Sequence, residues 1–185
     1  MKEKKLQPNV YPTQYEKHVK IKDGTRVLLR PLKWTDEDLW INFFYSLSSV
    51  SKQFRFLDRH RQLTPEIIKD AVQIDYVNHF ALVAIVKENE QDLMIGVVRY
   101  RLDPPPDSAS IVGAVLDDWQ GMGLGTKMLV HLLHIMIEQK IRKVHGDISL
   151  ENRLMLRLLD QSGFKVIEKD SAGVRHFEFQ LSVKY

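Results

Sequence analysis

Between Gln120 and Thr126 the chain reads Gln-Gly-Met-Gly-Leu-Gly-Thr, with glycine at alternate positions. The residues before it, Ser110 to Leu116, have the composition of a strand, and Leu124 to Gln139 are apolar over about four helical turns. A strand that passes through glycines into a helix this apolar needs a sheet to bury that helix against, which confines the chain to a mixed α/β class. Alternate glycines remove Cβ atoms where an anion must come close. The helix start adds unpaired N–H donors and the positive end of its dipole. The expected ligand is a pyrophosphate.

Two familiar phosphate binders do not fit. A P-loop needs Lys followed by Ser or Thr after its last glycine, and here Thr126 precedes Lys127. A dinucleotide fingerprint follows the first strand of a parallel βαβ unit. This turn instead follows three extended segments, Phe80 to Lys87, Met94 to Leu102 and Ser110 to Leu116, whose short connections predict antiparallel neighbours.

The remaining elements complete the pattern. Thr25 to Arg30 reads as a strand after the Asp23-Gly24 turn. Thr35 opens a helix carrying Leu39, Trp40, Phe43, Phe44 and Leu47, and Thr64-Pro65-Glu66 opens another. Ser48 to Leu63, between them, is polar, basic and aromatic. After the glycine turn come a strand over Lys143 to Leu150, a helix from Glu151 to Gln161 closed by Gly163, and strands over Phe164 to Glu168 and Val174 to Val183. The order predicts a mixed, mostly antiparallel sheet flanked by helices. Residues 1–18 read as an N-terminal tail or docking arm, disordered when the domain is alone, and 19–185 as one domain.

Composition narrows the partners. A formal charge of +3, from 27 basic against 24 acidic residues mixed along the chain, leans toward anionic ligands without the dense basic stripe of a nucleic-acid binder. With no cysteine, a disulfide framework, a Cys-bound zinc and a thiol nucleophile are excluded. No apolar run is long enough to cross a bilayer, and Met1 to Val10 carry no secretory h-region, so a cytoplasmic protein without membrane partners is expected. The oligomeric state is open.

On Gln120, Gly123 and Gly125 the chain resembles the GNAT superfamily of N-acetyltransferases, whose signature at this junction is Gln/Arg-x-x-Gly-x-Gly/Ala. It is further similar to the acetyltransferase domain of bacterial Pat-type protein lysine acetyltransferases. That similarity lies in Asp23-Gly24, Leu29-Arg30-Pro31, Phe54-Arg55-Phe56, Ile74-Asp75-Tyr76, Asp118-Trp119-Gln120-Gly121, Glu151-Asn152 with Met155, and Gly163-Phe164. The resemblance implies acetyl-CoA as cosubstrate, no metal, and a lysine-bearing protein as acceptor, without the fused synthetase and cyclic-nucleotide domains of Pat-type enzymes. It implies that backbone groups of Val115, Leu116 and Asp117 pair with the pantetheine arm. Gln120, Gly121, Met122, Gly123, Leu124, Gly125 and Thr126 would hold the pyrophosphate, and Asn152 would bond the cofactor from the next helix.

One position departs from the family. The glutamate that assists amine deprotonation in Pat-type enzymes is replaced by Ser110, whose hydroxyl is not a competent base at neutral pH. Either another acid such as Asp75, Asp103 or Asp107 serves, or the acceptor is an amine already neutral enough to attack, such as a small polyamine, or the chain is a catalytically weak acyl-CoA-binding regulatory module. No tyrosine lies between Asn152 and Gly163 to protonate the thiolate, which leaves Tyr76 or water, with packing the better role for Tyr76. His131 and His134, three apart, lack a third metal ligand and read as surface histidines. Arg55, Arg59, Lys52 and His60 form either a basic edge near the ligands or a solvated face. Phe54, Phe56, Trp119 and Phe164 read as packing residues.

Overall fold

The computed structural model of the protein describes residues 5–58, 60–104, 107–160 and 166–181. Eight strands form one sheet: β1 Lys17–Lys20, β2 Arg26–Pro31, β3 His79–Glu88, β4 Gln91–Asp103, β5 Ser108–Val115, β6 Lys143–Ser149, β7 Val166–Ser171 and β8 Val174–Gln180. Their spatial order is β1-β2-β3-β4-β5-β6-β8-β7. Every neighbouring pair is antiparallel except β5 with β6. Five helices accompany them: α1 Glu37–Ser46, α2 Ser49–Phe56, α3 Pro65–Val72, α4 Leu124–Glu138 and α5 Arg153–Asp160.

The centre of the sheet is buried on both faces, and its strands therefore read as apolar runs rather than alternations. In β3 every residue from His79 to Val86 is buried. One face of β4 carries Gly96, Val98 and Tyr100 and meets α4: a Cβ on Gly96 would lie 2.9 Å from Met128 Sδ. Leu124, Met128, Leu132, Ile135 and Met136 recur at helical spacing along α4 and are all buried. Burying each such side chain fully contributes about 1.5–3 kcal/mol. The other face carries Val97, Arg99 and Arg101. There Arg101 donates to Asp70 of α3 at 2.9 Å, which sets α3 on this side.

Most predicted elements occupy their expected positions, and three differences have physical causes. The polar stretch between the first two predicted helices contains α2. Its Ser48 side chain accepts from the Ser51 N–H, and its short length and low apolar content hid it. The segment before residue 19 lies against the domain: Leu6 and Tyr15 are buried, the Tyr15 hydroxyl bonds Glu138 at 2.9 Å, and Lys17–Lys20 form β1. His131 is correspondingly not a surface residue. It is 8% exposed, with Nε2 2.8 Å from the Tyr15 carbonyl, while His134 is exposed. Arg59, Gly163 and Phe164 lie outside the described residues. No described helix is long and apolar enough to cross a membrane.

Candidate active site

The β5–β6 ladder is short. Its register is Ser108 with Lys143, Ala109 with Val144 and Ser110 with His145, after which β5 runs on to Val115 and β6 to Ser149 without pairing. Two parallel strands that part leave a wedge with backbone groups on its walls. Gly146, the first residue past the last rung, sits so close to β5 that an added Cβ would stand 3.0 Å from the Ile111 carbonyl oxygen and 2.8 Å from the Phe177 ring. A side chain there would force the walls apart.

The wedge opens into a cleft of about 520 Å³, lined along β5 by Ile111 to Val115, along β6 by Asp147 and Ile148, and by Ser51, Phe54 and Arg55 of α2. The glycine turn closes one end, with Gln120, Gly121, Gly123, Gly125 and Thr126 on the wall, and Asn152, Met155 and Arg157 approach from α5. Gly121 and Gly123 have φ of +73° and +81°, a conformation that side chains rarely adopt. Gly123 is the N-cap of α4 and supplies no side-chain cap. Among the described residues no acceptor pairs with the amides of Gly123, Leu124, Gly125 and Thr126. Four free donors at a helix start form a cradle that a diphosphate fits.

Not every residue singled out from the sequence reaches the cleft. Leu116 and Asp117 use their backbone groups within the protein: the Leu116 N–H bonds Ile95 of β4, and the two carbonyls accept from Trp119 and Gln120. The Val115 carbonyl accepts from Gln120 Nε2 at 2.9 Å. The free strand edge thus lies earlier, over Ile111 to Ala114. Leu124 is a core residue, and the Met122 carbonyl accepts from Lys22 N–H. Asn152 caps α5, its Oδ1 accepting from Met155 N–H at 3.1 Å, which leaves Nδ2 as its donor.

The sequence did not point to Lys22 at all, nor to the Asp117 side chain as a tie. Lys22, in the turn between β1 and β2, lines the cleft with its Nζ 3.0 Å from the Gly121 carbonyl, adding a cation beside the amide cradle. Asp117 fastens α2 to the turn by accepting from the Ser48 and Ser51 hydroxyls at 2.8 and 2.9 Å. Burial raises the Asp117 carboxyl, but these hydrogen bonds outweigh it and hold the group below its ordinary range.

Ser110 lies on the face of the sheet that carries Arg101, opposite it across β4–β5, and its hydroxyl donates to the Arg101 carbonyl at 3.4 Å. The other candidate acids divide. Asp75 accepts from the amides of Val77, Asn78 and His79, which overcome burial and lower its carboxyl. Asp107 holds the Arg142 and Lys143 amides through its carbonyl. Asp103 bonds His145 Nε2 at 2.8 Å, beside the last rung. Tyr76 is buried and donates to the Leu32 carbonyl at 3.0 Å, a packing role, and burial raises its hydroxyl. Arg99 is buried with Nε and Nη2 unpartnered among the described residues, and its Nη1 lies 3.3 Å from His79 Nε2. Burial, then Arg99 and Arg101, push His79 down to about 4. No group of three potential metal ligands occurs among the described residues.

The chain matches the family described as Acetyltransferase (GNAT) domain over residues 26–165. It is 30% identical to an acetyltransferase of Pseudomonas aeruginosa over 142 residues, 77% of this chain and 76% of that protein. Its fold superposes on the GNAT domain of S. lividans PAT with a TM-score of 0.83 and 25% identity, covering 93% of this chain and 100% of that domain. The PaiA N-acetyltransferase of Thermoplasma acidophilum, solved in complex with coenzyme A, shares the fold at a TM-score of 0.58 and 15% identity, over 84% of this chain and 99% of that one. On this family match and this relative, the chain belongs to the GNAT acetyltransferase family.

Proposed function

We propose that the protein transfers an acetyl group from acetyl-CoA to the side-chain amine of a lysine on another protein. The observation that carries the reading is the wedge between β5 and β6, which ends at the Ser110–His145 rung and begins at the amide cradle of residues 123–126. The cradle and Lys22 suit the diphosphate, the free edge over Ile111 to Ala114 suits the pantetheine amides, and the thioester then points toward the last rung. The cations that line the cleft, Lys22, Arg55 and Arg157, favour an anionic cosubstrate. A protein lysine as acceptor rests on the similarity to the GNAT domain of S. lividans PAT along its full length. Residues 1–18 and 19–185 are proposed to act as arm and acetyltransferase domain.

Calorimetry with acetyl-CoA followed by a free-CoA assay with a lysine-bearing protein tests this. Binding and release of CoA in stoichiometry with acetyl-lysine support transfer. Binding without turnover on proteins or polyamines favours a regulatory acyl-CoA module, and no binding at millimolar acetyl-CoA removes both.

A further inference from the structure

Acetyl transfer to an ammonium requires something to take its proton, and Ser110 cannot. Accepting the transfer reading, we propose that Asp147 is the general base, oriented by His176. Asp147 is the one carboxylate among the cleft-lining residues. It lies on β6 two residues beyond His145, so its side chain is on the same face as Ser110 and His145 but in the part of the wedge where the strands have separated. The carboxylate missing from β5 is thereby supplied from the opposite wall, two residues past the last rung.

The carboxylate is held in place. His176 faces Asp147 across the β6–β8 ladder, and its Nδ1 is 3.0 Å from Asp147 Oδ1, which leaves Oδ2 to take the proton. The His176 ring stands 6.0 Å from His145, which Asp103 fixes in turn. Asp147 remains exposed enough to meet a substrate, unlike Asp75, whose oxygens are consumed by its own turn. On the same face His145 and Glu178 flank the Asp147–His176 pair, Lys169 faces His176 from β7, and the cations that line the cleft with Asp147 are Lys22, Arg55 and Arg157.

The step balances without another reagent. The acceptor ammonium gives one proton to Asp147 Oδ2. Its freed nitrogen pair attacks the thioester carbonyl carbon, the C–N bond forms and the C–S bond breaks with its electron pair on sulfur. The second nitrogen proton passes to the thiolate, and Asp147 returns its proton to solvent.

The test measures kcat, KM and acetyl-CoA affinity for Asp147→Asn, Asp147→Glu and His176→Gln. Asp147→Asn is expected to lower kcat about 10²-fold, within the usual range for a general base, with acetyl-CoA affinity unchanged. Its deficit should narrow as pH rises toward the range near 10.4 where lysine arrives neutral. Asp147→Glu should recover at least tenfold over Asp147→Asn. His176→Gln should lower kcat several-fold and leave both KM values within twofold. Adding Ser110→Glu to Asp147→Asn should restore at least tenfold. If Asp147→Asn binds acetyl-CoA normally and keeps kcat within threefold of the native protein, or if its deficit is the same at every pH, the assignment is wrong while the transfer reading stands. A native protein that binds acetyl-CoA and acetylates no amine removes both.

Discussion

Ser110 and His145 face each other across the last rung of the parallel β5–β6 ladder, and past them the two strands share no further pairing. A parallel pair normally continues as far as both strands do, and here β5 has five more residues and β6 four. The unpaired walls would be costly if they were simply buried, since each buried backbone group without a partner loses about 1–3 kcal/mol. They are tolerated because a cleft exposes them, and a ligand with its own amides can complete them.

Replacing Gly123 by Asp should abolish acetyl-CoA binding. The φ of +81° disfavours any side chain, and although the nearest atom to a new Cβ is Lys22 Cε at 4.0 Å, a carboxylate would enter the amide cradle that a diphosphate needs. Calorimetry should register at least a hundredfold weaker binding with a melting temperature within a few degrees of native. Unchanged affinity would place the diphosphate elsewhere.

The cradle was legible in the sequence because glycine spacing, a preceding strand and a following apolar helix are all local. Ser110 was legible as a departure for the same reason. Asp147 and Lys22 were not. Each acquires its place through the partner of its strand or turn: Asp147 by β6 pairing with β8 on one side and leaving β5 on the other, Lys22 by the β1–β2 turn folding onto Gly121. Helix α2 was hidden because only Val50, Phe54 and Phe56 are large and apolar in it, and Asp117, sixty-nine positions after Ser48, supplies what local pattern does not. The backbone of Leu116 and Asp117 looked available in sequence, yet β4 and a tight turn had already taken it.

His79 should make stability depend on pH. Its folded value is depressed to about 4 from the ordinary 6.5 of a histidine, by burial first and then by Arg99 and Arg101, opposed by Asp70 and Asp75. Between those values the unfolded chain binds a proton that the folded chain refuses, so stability is full above about pH 6.5 and is lost as pH falls toward 4. The contribution is roughly 3 kcal/mol at most. Urea unfolding of the native protein and of His79→Gln across this window should show the native protein losing more stability on acidification. Parallel losses in the two proteins would show that His79 titrates normally.

Deleting residues 1–15 should destabilise the fold. The deletion exposes the surface covered by Leu6 and Tyr15, removes the hydroxyl bond to Glu138 and takes the carbonyl partner from buried His131. Burial of two such side chains is worth about 3–6 kcal/mol, and an unpaired His131 adds to the loss. Chemical denaturation should give a midpoint shift of that size. A shift below about 1 kcal/mol would make the segment a passive tail.

Asp117→Ala tests whether α2 and the glycine turn are one mechanical unit. The carboxylate accepts from two hydroxyls and the Ser48 amide, so its loss removes the tie between α2 and the glycine turn. The bonds are partly exposed, and the expected cost is about 1 kcal/mol, a fall of roughly 2–4 °C in melting temperature. The larger effect should fall on function. Gln120 Nε2 also bonds the Ser51 hydroxyl at 3.2 Å, so freeing Ser51 loosens the residue that opens the turn, while Arg55 on the same helix shifts on the cleft wall. Acetyl-CoA affinity should drop about tenfold and the acceptor KM should rise with it. If calorimetry and steady-state kinetics instead show one of the two constants moving alone, the helix and the turn respond independently and the coupling through Asp117 is absent.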